Sequence, residues 1–118
     1  MSTSSQSNVT PEVRRTAPIF AAIGDPVRLT LLTKLGSGQR HSITQLSHGA
    51  TISRQAVTKH LRVLQAAGLV QVTRRGRESL FQLDPTPLRA ARDSLDAISE
   101  QWDAALGRLK SFVEEQKD

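Results

Sequence analysis

The chain has 118 residues, is 37% hydrophobic and carries 16 Lys and Arg against 11 Asp and Glu, which suits one small domain with a modest core. It contains no cysteine, so disulfides, thiolate metal sites and cysteine redox chemistry are excluded. Neither a signal-peptide pattern nor a run of ~18 apolar residues is present, so a cytoplasmic protein without membrane contact is expected.

The net charge of +5 is unevenly divided. Residues 1–84 hold eleven cations against four acids, whereas residues 85–118 hold five against seven. Between Arg40 and Leu80 there are seven cations and a single acid, Glu78. A basic middle points to contact with a polyanion, and a mildly acidic end points to packing.

Residues 1–9 have no apolar period and are expected to be a disordered tail. Thr10, Pro11 and Glu12 form a helix start, with a hydroxyl cap, a proline at the first helical position and an acid in the first turn. The helix should run to Ile23 with Val13, Ala17, Ile19, Phe20 and Ile23 on its apolar side, and end at Gly24. Asp25 and Pro26 repeat the start signal. Val27, Leu31, Leu32 and Leu35 then make the stripe of a second helix that stops at the turn of Gly36, Ser37 and Gly38. Arg28 lies near the N-terminus of that helix, where the helix dipole disfavours a cation; either a specific partner or a solvated charge accounts for it.

Ser42 and Gln45 have capping-box spacing and open a short third helix containing Ile43 and Leu46. Ser53 caps a fourth, which Gly68 ends. At ~100° per residue, Arg54, Gln55, Thr58, Lys59, Arg62 and Gln65 fall on one arc of the fourth helix. Ala56, Val57, His60, Leu61, Val63, Leu64 and Ala67 fall on the complementary arc. Such a helix packs on one side and offers cationic and amide side chains on the other, as a helix in a DNA major groove must. Two short helices with a tight link, the second amphipathic and basic, spell a helix-turn-helix.

From Leu69 the period changes. Leu69, Val70 and Val72, then Leu80, Phe81 and Leu83, predict two antiparallel strands joined near Arg75 and Gly76, a wing with an arginine-rich tip. Asp84 and Pro85 start a last helix reaching about Glu115. Its apolar positions, Leu88, Ala91, Leu95, Ile98, Trp102, Ala105, Leu109 and Phe112, alternate steps of three and four, a heptad seam. At ~1.5 Å per residue the helix is about 45 Å long, too long for this domain to bury. The seam is therefore expected to close a homodimer with help from Phe20 of the first helix.

The fold class expected is mainly α with a small β-hairpin, a winged helix-turn-helix with a long C-terminal dimerisation helix. The division is a tail over 1–9, a DNA-binding unit over 10–84 and a dimerisation helix over 85–118 in the same domain. Candidate major-groove contacts are Ser53, Arg54, Gln55, Thr58, Lys59 and Arg62. Candidate wing or backbone contacts are Arg40, Ser42, Arg74, Arg75 and Arg77. The partners expected are double-stranded DNA and a second copy of the chain, with an effector of unknown identity left open.

The segments AAIGDPVRLTLL, SRQAVTKHLRVLQAAGLV and RRGRESLFQLDP, followed by the long helix, resemble the ArsR-type winged helix-turn-helix repressors of bacteria over roughly residues 16–115. The resemblance implies a symmetric dimer on an inverted-repeat operator, usually repressing transcription. It puts groove-facing positions at Arg54, Gln55, Thr58 and Lys59, and the wing arginines near the flanking backbone or minor groove. Metal-sensing members carry a cysteine pair in the third helix, where this chain has HSITQLS, or a histidine and carboxylate cluster in the last helix, which here has no histidine. Trp102, Leu106, Arg108, Leu109 and Phe112 look like the non-metal branch, so no metal or other cofactor is expected. Where many members have glycine, this chain has Thr51, with Gly49 two residues earlier.

Other readings are weaker. His60 sits on the apolar arc and reads as a core histidine with one hydrogen bond. His41 and His48 flank the third helix without an acid or thiol nearby. No nucleophile triad, paired-carboxylate spacing or phosphate loop is present, so an enzyme is not expected. The alternative is an adaptor or antitoxin-like module using the long helix to hold another protein.

Overall fold

The computed structural model describes residues 10–116; the expected tail over 1–9 lies outside them. Among these described residues, five α-helices and three strands follow in order: α1 (Pro11–Ile23), α2 (Pro26–Lys34), β1 (His41–Ser42), α3 (Ile43–Ser47), α4 (Arg54–Ala66), β2 (Val70–Arg75), β3 (Glu78–Leu83) and α5 (Thr86–Gln116). A 3₁₀ turn, Leu35–Ser37, follows α2.

Local chemistry sets most of these boundaries. The Thr10 hydroxyl accepts from the Val13 amide at the start of α1. Asp25 accepts from Val27 and Arg28 at the start of α2. Ser42 and Gln45 make both halves of a capping box before α3, at 3.2 and 2.8 Å, and Ser53 accepts from Ala56 before α4. Each satisfies amides that the first helical turn leaves without partners. At the other end of α4, Gly68 adopts φ 77°. Its amide donates to Gln65 O and that of Leu69 to Leu64 O, both at 2.9 Å. This is a Schellman motif, which turns the chain directly from reading helix into β2.

The core gathers Leu31, Leu32 and Leu35 from α2, Leu46 from α3, Val57, Leu61 and Leu64 from α4, and Leu69, Val70 and Phe81 from the sheet. Leu35, Leu61, Leu64 and Leu69 are fully sequestered; truncating a leucine so placed to alanine costs roughly 2–5 kcal/mol. Two expectations for α1 are corrected. Val13 is half exposed and Ala17 exposed, while Thr16 and Ala22 face inward beside Ile19. Thr16 tolerates burial because its hydroxyl donates to Glu12 O at 2.9 Å, so no polar group is stranded. Pro18 sits inside α1, exposed, without ending it.

The sheet has three strands in the order β1-β3-β2, all antiparallel, rather than the two of the expected hairpin. β1 pairs His41 with Phe81 and Ser42 with Leu80, so the chain entering α3 is tied to the base of the wing. β2 and β3 pair from Val70–Leu83 to Arg75–Glu78, leaving Gly76 and Arg77 as a two-residue turn. Gly76 has φ 62° and, among the described residues, no non-glycine residue has positive φ, so φ at Arg77 is negative and the turn has the sign pattern of a type II′ hairpin.

α5 begins one residue after Pro85, with the Asp84 carboxylate accepting from the Thr86 amide. Its first three turns pack on the rest of the chain. Ala91 is buried, Leu88 is half buried against the core, and Ser94 lies 3.5 Å from Thr16 of α1. Beyond Ser94 the helix stands clear, and Leu95, Ile98, Trp102, Leu106, Leu109, Phe112 and Val113 are all 48–65% exposed.

Candidate nucleic-acid interface

The site is built on α4. Val57, Leu61 and Leu64 anchor one face in the core, and Arg54, Gln55, Lys59, Arg62 and Gln65 are exposed on the other. Thr58 is half buried, and its hydroxyl donates to Arg54 O at 2.9 Å. That proton is therefore committed, and Thr58 presents a methyl group and an acceptor lone pair. The Ser53 oxygen accepts the cap bond and retains its own proton. Val63, expected in the core, is 41% exposed. It lies at the edge of the apolar arc, over a hollow walled by the small side chains of Pro18, Ala21, Ala22, Ala66 and Ala67, which do not reach out to cover it.

Cations from α2 hold the neighbouring elements in register. Lys34 Nζ donates to Leu46 O at 3.1 Å and His48 O at 3.3 Å, satisfying carbonyls at the C-terminal end of α3. The link from α3 to α4 then turns at Gly49, φ 75°. Arg28 donates to Ala22 O and Ala21 O at the end of α1 and to His60 Nδ1 at 3.2 Å. Its cation thus sits where the dipole of α1 favours positive charge, and of the two sequence readings the partnered one holds. His60 is half buried, with Asp25 Oδ1 3.9 Å from the same nitrogen. The backbone hydrogen bond from Arg28 holds the Asp25 carboxyl below its usual range, aided by that from Val27 and by the charge of Arg28.

The wing arginines are all exposed. Successive strand residues leave opposite faces of the ribbon, so Arg74 and Arg75 diverge, while Arg75 and Arg77 flank Gly76 at the tip. Arg40 is exposed just before β1. Ser42 does not join them: it is 5% exposed, with its oxygen accepting the α3 cap bond, so its burial argues against a backbone contact. Two of the expected interface positions also differ from the rest. Phe20 and Leu88 are half buried against the protomer's own core, so the free seam begins at Leu95.

One bond in this region had no sequence signal: the Arg54 guanidinium donates through Nη2 to Thr44 Oγ1 on α3 at 2.8 Å. Among the described residues no group of three or more His, Asp or Glu side chains is arranged to hold a metal ion. No helix among them is long and apolar enough to cross a membrane.

A family model for a helix-turn-helix domain matches residues 23–73. The HTH-type transcriptional regulator Rv2034 of Mycobacterium tuberculosis is 33% identical over 99 residues, 84% of this chain and 89% of the relative. An ArsR-like transcriptional regulator from Rhodococcus sp. RHA1, of known structure, is 35% identical, with a TM-score of 0.71 over 84% of this chain and 92% of that one. The chain belongs to the ArsR family of winged helix-turn-helix transcriptional regulators. It is similar also to the HTH-type transcriptional repressor SmtB of M. tuberculosis, 32% identical over 90 residues, 75% of this chain and 63% of the relative. As an ArsR-family regulator the protein binds DNA, and α4 with the β2–β3 wing is the surface whose charge and exposure suit that task.

Proposed function

We propose that this ArsR-family regulator is a homodimeric, metal-independent repressor in which each protomer lays α4 in one major groove of an inverted-repeat operator. The observation that carries the reading is the division of α4, three buried apolar anchors on one side and five exposed cationic or amide side chains on the other. In that pose Arg54 or Lys59 pairs with guanine O6 and N7, Gln55 with adenine N6 and N7, and the Thr58 methyl meets a thymine methyl. Ser53, Arg62, Arg40 and the wing arginines contact phosphates, adding affinity with little sequence information. Leu95, Ile98, Trp102, Leu109 and Phe112 close the dimer along α5. Repression is supported by the named role of the SmtB relative, and metal independence by the missing cysteines and the scattered histidines.

Two substitutions test the assignment. Gln55→Ala should change which operator bases are preferred. Arg75→Ala should weaken all sequences alike and lower the salt slope of log affinity by about 1. Unchanged preference in the first and unchanged slope in the second would remove α4 and the wing from the interface.

A further inference from the structure

Four threonines on the helices, Thr16, Thr30, Thr33 and Thr58, donate their hydroxyl proton to the carbonyl four residues upstream. Thr44 differs. It is the second residue of α3, so the residue four positions earlier, Arg40, precedes the helix. Its proton makes no such bond among the described residues, and its oxygen accepts from Arg54 Nη2 at 2.8 Å instead. The pair is exposed, and it bridges the first turns of α3 and α4.

The consequence follows from guanidinium geometry. The group has five N–H bonds in a fixed planar fork, and Nη2 contributes one hydrogen to each of its two bidentate edges. A hydroxyl bound to Nη2 occupies one edge and leaves one. An arginine at the end of a long flexible side chain is thereby reduced to a single presentation before DNA arrives, and less rotamer entropy is lost on binding.

Resting on the proposal that α4 reads the major groove, we infer that Thr44 is a specificity-determining residue: it positions Arg54 so that one defined edge faces the base pair, and turns its own unspent proton to a phosphate oxygen. Thr44 itself touches no base. Its effect is to sharpen the choice made by Arg54 at one operator position.

The test is binding to a set of operator duplexes varied one base pair at a time, with wild type, Arg54→Ala, Thr44→Val and Thr44→Ser. Arg54→Ala identifies the position that Arg54 reads. Thr44→Val, which keeps the branched shape and loses the hydroxyl, should reduce discrimination at that same position by about threefold to tenfold. Other positions and the salt slope should be unchanged, because no charge is removed. Thr44→Ser restores the hydroxyl and should restore discrimination. The inference is overturned if Thr44→Val discriminates as wild type does, if its loss is spread evenly over all positions, or if serine fails to rescue it. It is overturned equally if Arg54→Ala alters no base preference. Wild-type protein that binds every duplex alike would instead overturn the underlying assignment of α4 as the reader, so the two failures are distinct.

Discussion

Arg28 Nη1 lies 3.2 Å from Nδ1 of His60, thirty-two residues away and in the middle of the reading helix. Because a guanidinium only donates, Nδ1 is the acceptor in this bond. Through its remaining nitrogens Arg28 also holds the last carbonyls of α1. One side chain therefore fixes α4 against α1 and α2.

Replacing Arg28 with methionine should keep most of the apolar stem and lose these bonds, at a cost of about 1.5–3 kcal/mol. Arg28→Lys should recover little of it, since one ammonium does not reproduce a planar fork spanning three acceptors. Denaturant unfolding measures both. A loss below about 0.5 kcal/mol, the scale of an ordinary surface substitution, would mean that the cation is merely solvated.

Acid stability should depend on the two capping aspartates. Hydrogen bonds from the Thr86 backbone and side chain, then from Gln71, hold Asp84 below its usual range, as the Arg28 amide does for Asp25. A carboxyl whose folded pKa lies below the unfolded value of 3.8 contributes its full stabilisation above that value. It loses the contribution as pH falls through the folded pKa. The denaturation midpoint of wild type should fall on acidification through this range, and Asp25→Ala with Asp84→Ala should flatten the fall. Parallel curves would exclude these carboxylates as its cause.

Gly68→Ala should destabilise the fold by about 1–2 kcal/mol, the cost of a side chain in the left-handed region. Gly36→Ala is the control, because Gly36 has ordinary φ and open space around its Cα. Equal effects at the two sites would show that the Schellman turn does not decide the end of α4.

Trp102 and Leu109 are 65% and 58% exposed in the protomer, so Trp102→Glu with Leu109→Glu should leave its helical circular dichroism intact while converting a dimer to a monomer in sedimentation. A wild-type monomer would point instead to an α5 that waits for a different protein.

Much of this was legible because it is local. Thr10, Asp25, Ser42 with Gln45, Ser53 and Gly68 each act within a few residues of themselves, and the polar arc of α4 is a property of one helix. What sequence did not disclose depends on meetings between distant segments. β1 is two residues long, with no period to detect, and exists because His41 and Ser42 meet Phe81 and Leu80. The rotation of α1, which buries Thr16 and Ala22 in place of Val13 and Ala17, is decided by how α5 and α4 approach it. Ser42 was recognised as a cap, but its burial depends on the sheet beside it. The Arg28–His60 and Arg54–Thr44 bonds join residues on different helices, and no periodicity encodes them.

The central claim is that two copies of α4 read two half-sites at a fixed spacing. Selection of bound sites from random duplex DNA tests it most directly. An inverted repeat with half-site centres one helical turn, about 34 Å, or a multiple of it apart is the predicted outcome, with the preferred base within each half-site changed by Gln55→Ala. Recovery of no common motif, or of single half-sites without a partner at fixed distance, would contradict it.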